Sequence, residues 1–170
     1  LAHHDPAAHA RGRPASPQGQ AIFEAIEQSR IESIGANALG GVRANLTAVL
    51  EQTIERKGMA RMSDRANAPI ADVLALLVRE RLTGDAPPEG ARAVVDLFRD
   101  EVEAKAGPDL DRLMDNLNDQ AAFGKVARAI LRDLDLGDAD IDPSESSDEE
   151  QGEEDESQSS ESDDGDGDGQ

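Results

Sequence analysis

The sequence predicts an all-α domain, a compact bundle of about six helices, followed by a disordered acidic tail. Apolar residues recur at helical spacing in one segment after another. No convincing run alternates apolar and polar residues, so no strand is expected. The charge is also divided sharply along the chain. No Lys or Arg follows Arg132, while sixteen acidic residues lie between Asp138 and Asp168. Of the net charge of −20, the last thirty-three residues carry −16; residues 1–137 hold 21 acidic against 17 basic residues, or −4. The low overall isoelectric point therefore describes a near-neutral domain with an anionic tail.

Residues 1–20 form an extended lead-in, punctuated by Pro6, Pro14, Pro17, Gly12 and Gly19. A first helix is predicted from about Gln18 to Ser33, with Phe23, Ile26 and Ile34 on its apolar stripe and Gly35 as its stop. Glu24, Glu27, Gln28 and Glu32 are read as turned away from that stripe. A second helix covers about Leu39 to Lys57, where Leu39, Val42, Leu46, Val49, Leu50 and Ile54 keep to one face and Gly58 is the C-cap. After a polar connector, Pro69 opens a third helix whose wide apolar face (Ile70, Val73, Leu74, Leu77, Val78) should lie deepest. The fourth helix, about Glu89 to Ala106, is expected to bury Val94, Val95, Phe98 and Val102 and to stop at Gly107. Pro108 then begins a fifth, with Leu110, Leu113, Met114 and Leu117. Asn118 or Asp119 caps a sixth, striped by Phe123, Val126, Ala127, Ile130, Leu131 and Leu134 up to Gly137. The domain thus spans 21–137. Residues 138–170 are Asp, Glu, Ser, Gly and Gln with one large apolar residue, Ile141, and too little apolar surface to offset the entropy of ordering.

Composition excludes several classes of function. The chain has no Cys, which rules out disulfides and thiolate metal sites and agrees with a reducing, cytoplasmic setting. No apolar run approaches the roughly 18 residues of a membrane span. With no basic surplus to neutralise phosphates, nucleic acid is disfavoured as a partner. Leu1 stands where Met would open a full-length chain, so the sequence reads as a fragment with sequence missing at both ends.

Motifs that imitate reactive sites fail on context. Asp142-Pro143-Ser144-Glu145-Ser146 spells the D-x-S-x-S of a metal-ion-dependent adhesion site, but no buried strand precedes it to converge the ligands. Asp164, Asp166 and Asp168 open like a calcium loop that has no closing Glu. Gly35-x-x-x-x-Gly40 is followed by Gly41-Val42, where a phosphate loop needs Lys and then Ser or Thr. His3, His4 and His9, with Asp5 among them, are candidate metal ligands, although a Pro-interrupted segment organises ligands poorly. No Ser–His–acid or Cys–His arrangement can be assembled, so no catalytic residue is assigned. The Arg79-Glu80-Arg81 run is read as a solvated edge.

The succession of blocks is more specific than any single motif. Ile22-Phe23-x-Ala25-x-Glu27-Gln28-x-Arg30-x-Glu32-x-Ile34-Gly35, followed by Gly41-Val42-x-x-Asn45-Leu46, resembles the N-terminal region of the CobT-type subunit of aerobic cobaltochelatase. His4-Asp5-x-x-x-His9-Ala10, Pro17-x-Gly19, Ala68-Pro69-Ile70, the run Ala75 to Gly84, and Asp119-Gln120-x-Ala122-Phe123 extend the likeness in order over residues 1 to about 137. The resemblance implies a ligase complex that inserts Co²⁺ into hydrogenobyrinic acid a,c-diamide in cobalamin biosynthesis. It also implies a hetero-oligomer with an AAA+ ATPase subunit and a large chelatase subunit, using ATP and Mg²⁺ with Co²⁺ as substrate. This chain carries no ATPase signature, and no cofactor is expected to be bound by it. Members of the family continue past an acidic linker into a von Willebrand-type domain, which lies outside this sequence. The expectation is therefore a non-catalytic module, with the Glu27 and Arg30 edge of the first helix as the candidate partner contact. The alternatives are a stand-alone acidic-tailed helical adaptor or scaffold, and a small metal-sequestering protein.

Overall fold

A computed structural model describes residues 5–7 and 13–137. The chain divides into two units, 1–139 and 140–170, and every described residue belongs to the first. Five long helices follow one another: α1 Pro17–Ala38, α2 Gly40–Lys57, α3 Ile70–Thr83, α4 Glu89–Asp115 and α5 Gln120–Asp133. Two 3₁₀ turns, Met59–Arg61 and Arg65–Asn67, bridge α2 to α3. Among the described residues there is no strand, as the periodicity predicted.

Local chemistry explains most boundaries. Ser16 caps α1 by accepting from the Gly19 amide at 3.1 Å, and Pro17 sits in the first turn where its missing N–H costs nothing. Gly58 and Gly84 end α2 and α3 in the left-handed region, at φ 65° and 77°, which other residues enter only under strain. Asp119 caps α5 through the Ala122 amide at 3.0 Å. Past α5 the Leu136 amide donates to Leu131 O at 2.8 Å and Asp135 to Arg132 O at 3.0 Å. That pattern is a Schellman motif, and Asp135 rather than Gly137 takes the left-handed position, at φ 57°.

Two boundaries differ from the expectation. α1 does not stop at Gly35 but continues to Ala38, and a single extended residue, Leu39, turns the chain into α2. Gly35 serves packing instead, since a Cβ there would lie 3.3 Å from Val42 of α2. The expected fourth and fifth helices are one, α4, running through Pro108. Proline deprives the Ala104 carbonyl of its helical donor. Both residues face solvent, where water can serve that carbonyl, while Ala106, Gly107, Leu110 and Leu113 hold the opposite face in the core. Among the described residues, five long helices therefore stand where about six were expected.

The core is built by α1, α3, α4 and α5. α1 lies along α3 and also meets α5, and α4 packs on α3 and α5. Ile22, Phe23 and Ile26 of α1 join Val73, Leu74, Leu77 and Val78 of α3, Val94, Val95, Leu110 and Leu113 of α4, and Phe123, Ile130 and Leu131 of α5. Each such side chain removed from water contributes about 1.5–3 kcal/mol. As expected, α3 is the most deeply set, with half of its residues buried. α2 is different. It meets α1 at the Leu39 turn and α4 and the first 3₁₀ turn at its far end, and it buries only Ile54. Ile54 approaches α4 so closely that a Cβ on Gly90 would lie 3.2 Å from its Cγ2.

Candidate functional site

Charged side chains enter the interior of this domain, where burial is costly unless partners are supplied. α1 buries Glu27, Ser29, Arg30 and Ser33 beside its apolar stripe. Arg30 is fully buried, with Nε 3.4 Å from Glu27 Oε2, Nη1 donating to Leu117 O at 3.2 Å, and its guanidinium 5.7 Å from the centre of the Phe123 ring. Glu27 is only 2% exposed. These contacts tie α1 to the α4–α5 turn and to α5. The reading of Glu27 and Arg30 as an outward edge is therefore corrected. α3, the α4–α5 turn and α5 surround α1 on more sides than its apolar stripe alone can cover, so the polar positions flanking the stripe are enclosed too.

The Arg79-Glu80-Arg81 run is also no solvated edge. Arg79 is 6% exposed, with Nη1 3.5 Å from Glu32 Oε2 of α1. Glu80 accepts from Arg99 Nη1 at 2.9 Å, and Arg81 reaches both Glu103, at 2.6 Å, and Asp111 of α4. The run clasps α3 to α1 and α4. Hydrogen bonding to Glu103 holds the Arg81 guanidinium above its ordinary pKa. On the far side of α4, the Arg65 hydrogen bond and then the Lys105 one hold Glu101 below the usual carboxylate range. Burial, followed by a hydrogen bond with Asp109, pushes Asp133 up.

Two features remain on the surface. The first is the outer side of α2, where Leu39 and Val49 are each 60% exposed and Val42, Leu46 and Leu50 are half-buried. The stripe the sequence displays is thus real, but only its Ile54 end is covered. The second is an open groove of about 740 Å³ between α2, the Asp85–Pro88 connector and the start of α4, lined by Arg43, Arg79 and Arg92 among others. One wall is fixed by Arg43. Its Nη1 donates to Asp85 Oδ1 at 2.8 Å, its Nη2 to Asn37 Oδ1 at 3.0 Å and its Nε to Ala36 O at 3.3 Å. Asn37 in turn donates to Leu82 O at 3.1 Å, so the starts of α2 and of the connector are held to the ends of α1 and α3. Sequence reasoning missed this groove, because its arginines lie on three separate helices.

No group of three or more metal-ligating side chains occurs among the described residues. His3, His4, His9 and the Asp142-x-Ser144-x-Ser146 motif lie outside them. None of the helices searched among the described residues is long and apolar enough to cross a membrane. The described residues present an uncovered helix face and a groove beside it, on a helical frame.

Comparison with known proteins places this frame. No solved structure matches the chain. Residues 1–170 match the family model described as cobalamin biosynthesis protein CobT, a family that forms part of a multisubunit cobaltochelatase. With the match covering every residue, the chain belongs to the CobT family and takes part in cobalamin biosynthesis.

Proposed function

We propose that this chain is a non-catalytic docking module of the cobaltochelatase in the cytoplasm. In this reading it joins the AAA+ ATPase subunit to the large chelatase subunit, and so supports ATP-dependent insertion of Co²⁺ into hydrogenobyrinic acid a,c-diamide. The observation that carries the reading is the outer face of α2. Leu39, at the turn into α2, and Val49, within it, are each left 60% exposed, and the helix is anchored at both ends. Contiguous apolar surface on an otherwise well-packed domain marks a contact site. Helix faces of this kind commonly bind partners through residues one or two turns apart.

The docking partner assigned here is the AAA+ subunit, because this chain carries no nucleotide signature of its own and the energy of ATP must be delivered to the chelating subunit across a protein contact. The double substitution Leu39→Ser, Val49→Ser in the full chain tests this. Co-purification with the ATPase subunit should fall at least tenfold while helicity is unchanged. Undiminished co-purification would remove α2 from the interface and with it the basis of the docking assignment.

A further inference from the structure

The joint between α1 and α2 carries an inference that does not depend on the docking assignment. We propose that Leu39 is a hinge at which α1 and α2 join into one helix, exchanging α1 between two copies of this chain. Only Leu39 separates the two helices, in an extended conformation at φ −138° and ψ 115°. Leu is a good helix former, and this side chain is 60% exposed, so core packing does not hold it extended. The helical ladder already reaches the joint from both sides. The Leu39 amide donates to Gly35 O at 3.0 Å and the Arg43 amide to Leu39 O at 3.1 Å, each to the residue four back as in an α-helix. α2 opens with no side-chain cap, so a straight joint would give the Gly40, Gly41 and Val42 amides helical acceptors on Ala36, Asn37 and Ala38.

Arg43 keeps the joint bent. Its Nε donates to Ala36 O at 3.3 Å, in place of the amide a continuous helix would supply, and its Nη2 donates to Asn37 Oδ1 at 3.0 Å. Its Nη1 donates to Asp85 Oδ1 at 2.8 Å, which fastens the bend to the connector after α3. Gly40 and Gly41 act in the same direction, because glycine is a poor residue for a helix interior. A single chain cannot straighten and keep its core, since Ile22, Phe23 and Ile26 of α1 are buried with α3, α4 and α5. Two chains can. When α1 of each copy fills the place left by its partner's α1, those apolar contacts are remade between chains, and the difference is confined to the joint. Short connections of this kind are where exchange of an element between copies starts. α2 stays on its own frame through buried Ile54 and the Lys57–Asp72 ion pair at 2.7 Å.

The full chain, refolded at low and at high concentration, tests the hinge by light scattering after size exclusion. A dimer that forms at high concentration and persists on dilution is expected. Gly40→Ala with Gly41→Ala, at positions where a Cβ meets nothing within 4 Å, should raise the dimer-to-monomer ratio by about tenfold or more. Gly40→Pro should give monomer alone. Proline suits the first position of α2, and Leu39 already has the extended backbone that a residue before proline prefers, so the bent form is kept. In the joined helix the same proline would lie mid-helix, lose its bond to Ala36 O and clash. A Cβ on Gly124 would lie 3.6 Å from Phe23 Cζ, so these two residues report on where α1 sits. In dimers co-refolded from ¹³C-labelled and unlabelled chains, isotope-filtered NMR should place the Phe23 ring of one copy against Gly124 of the other. Contacts within one chain only would make the dimer a side-by-side pair and overturn the exchange. The hinge is also overturned if a folded Gly40→Pro chain dimerises as the parent does, or if neither the parent nor the double alanine variant dimerises. Should Gly40→Pro lose helicity, the alanine pair and the interchain contacts decide the question.

Discussion

α1 and α2 are consecutive helices separated by one residue, yet their fates are opposite. α1 carries Glu27 and Arg30 into the interior, while α2 leaves Leu39 and Val49 in solvent. The difference comes from neighbours rather than from amphipathicity. α1 is packed by α3 and α5 and flanked by α2, so polar positions beside its apolar stripe are covered and must find partners inside. α2 touches the frame mainly at its ends, so most of its stripe has nothing to pack against. A hydrophobic pattern says which face prefers cover. It does not say how much cover exists.

The largest test of this contrast is Arg30→Ala. Deleting one member of a buried charge pair leaves its partner enclosed without its counter-charge, which typically costs about 3–5 kcal/mol. Equilibrium denaturation should show a loss of that size; a loss below about 1 kcal/mol would mean that the interior position of Arg30 contributes little to stability. Ile54→Ala probes the covered end of α2. It removes the side chain that packs on Gly90 and should cost about 2–4 kcal/mol, in the range for buried Ile→Ala changes. The smallest effect is expected at the uncovered face of the same helix. Leu39→Ser with Val49→Ser should change stability by no more than about 0.5 kcal/mol per site, as surface substitutions usually do. If that double variant destabilises the isolated chain as much as Ile54→Ala does, the outer face of α2 is part of the fold and not a contact surface.

Several elements were legible without coordinates. The α5 stripe of Phe123, Val126, Ala127, Ile130 and Leu131 is buried throughout, and Asp119 caps it, because one strong 3.6-residue period and one side-chain acceptor decide both features locally. The glycine stop at Gly58 was legible for the same reason. The fusion at Pro108 was not. Whether a proline ends a helix or is carried within it depends on whether the freed carbonyl faces water and whether residues on the other face stay packed. Neither is written in the local sequence. The groove was equally invisible, since Arg43, Arg79 and Arg92 are brought together only by the return of α4 beneath α2.

The sequence by itself determined the helical class, most helix boundaries, the division between a near-neutral domain and an acidic stretch, and the family likeness. These are properties of periodicity, caps and composition, which act over a few residues or over whole segments. Only the tertiary structure decided that Glu27 and Arg30 are interior, that the Arg79–Arg81 run is a clasp, and that one apolar helix face stays uncovered. Burial is set by what packs against a residue, and for this chain those neighbours lie tens of residues away.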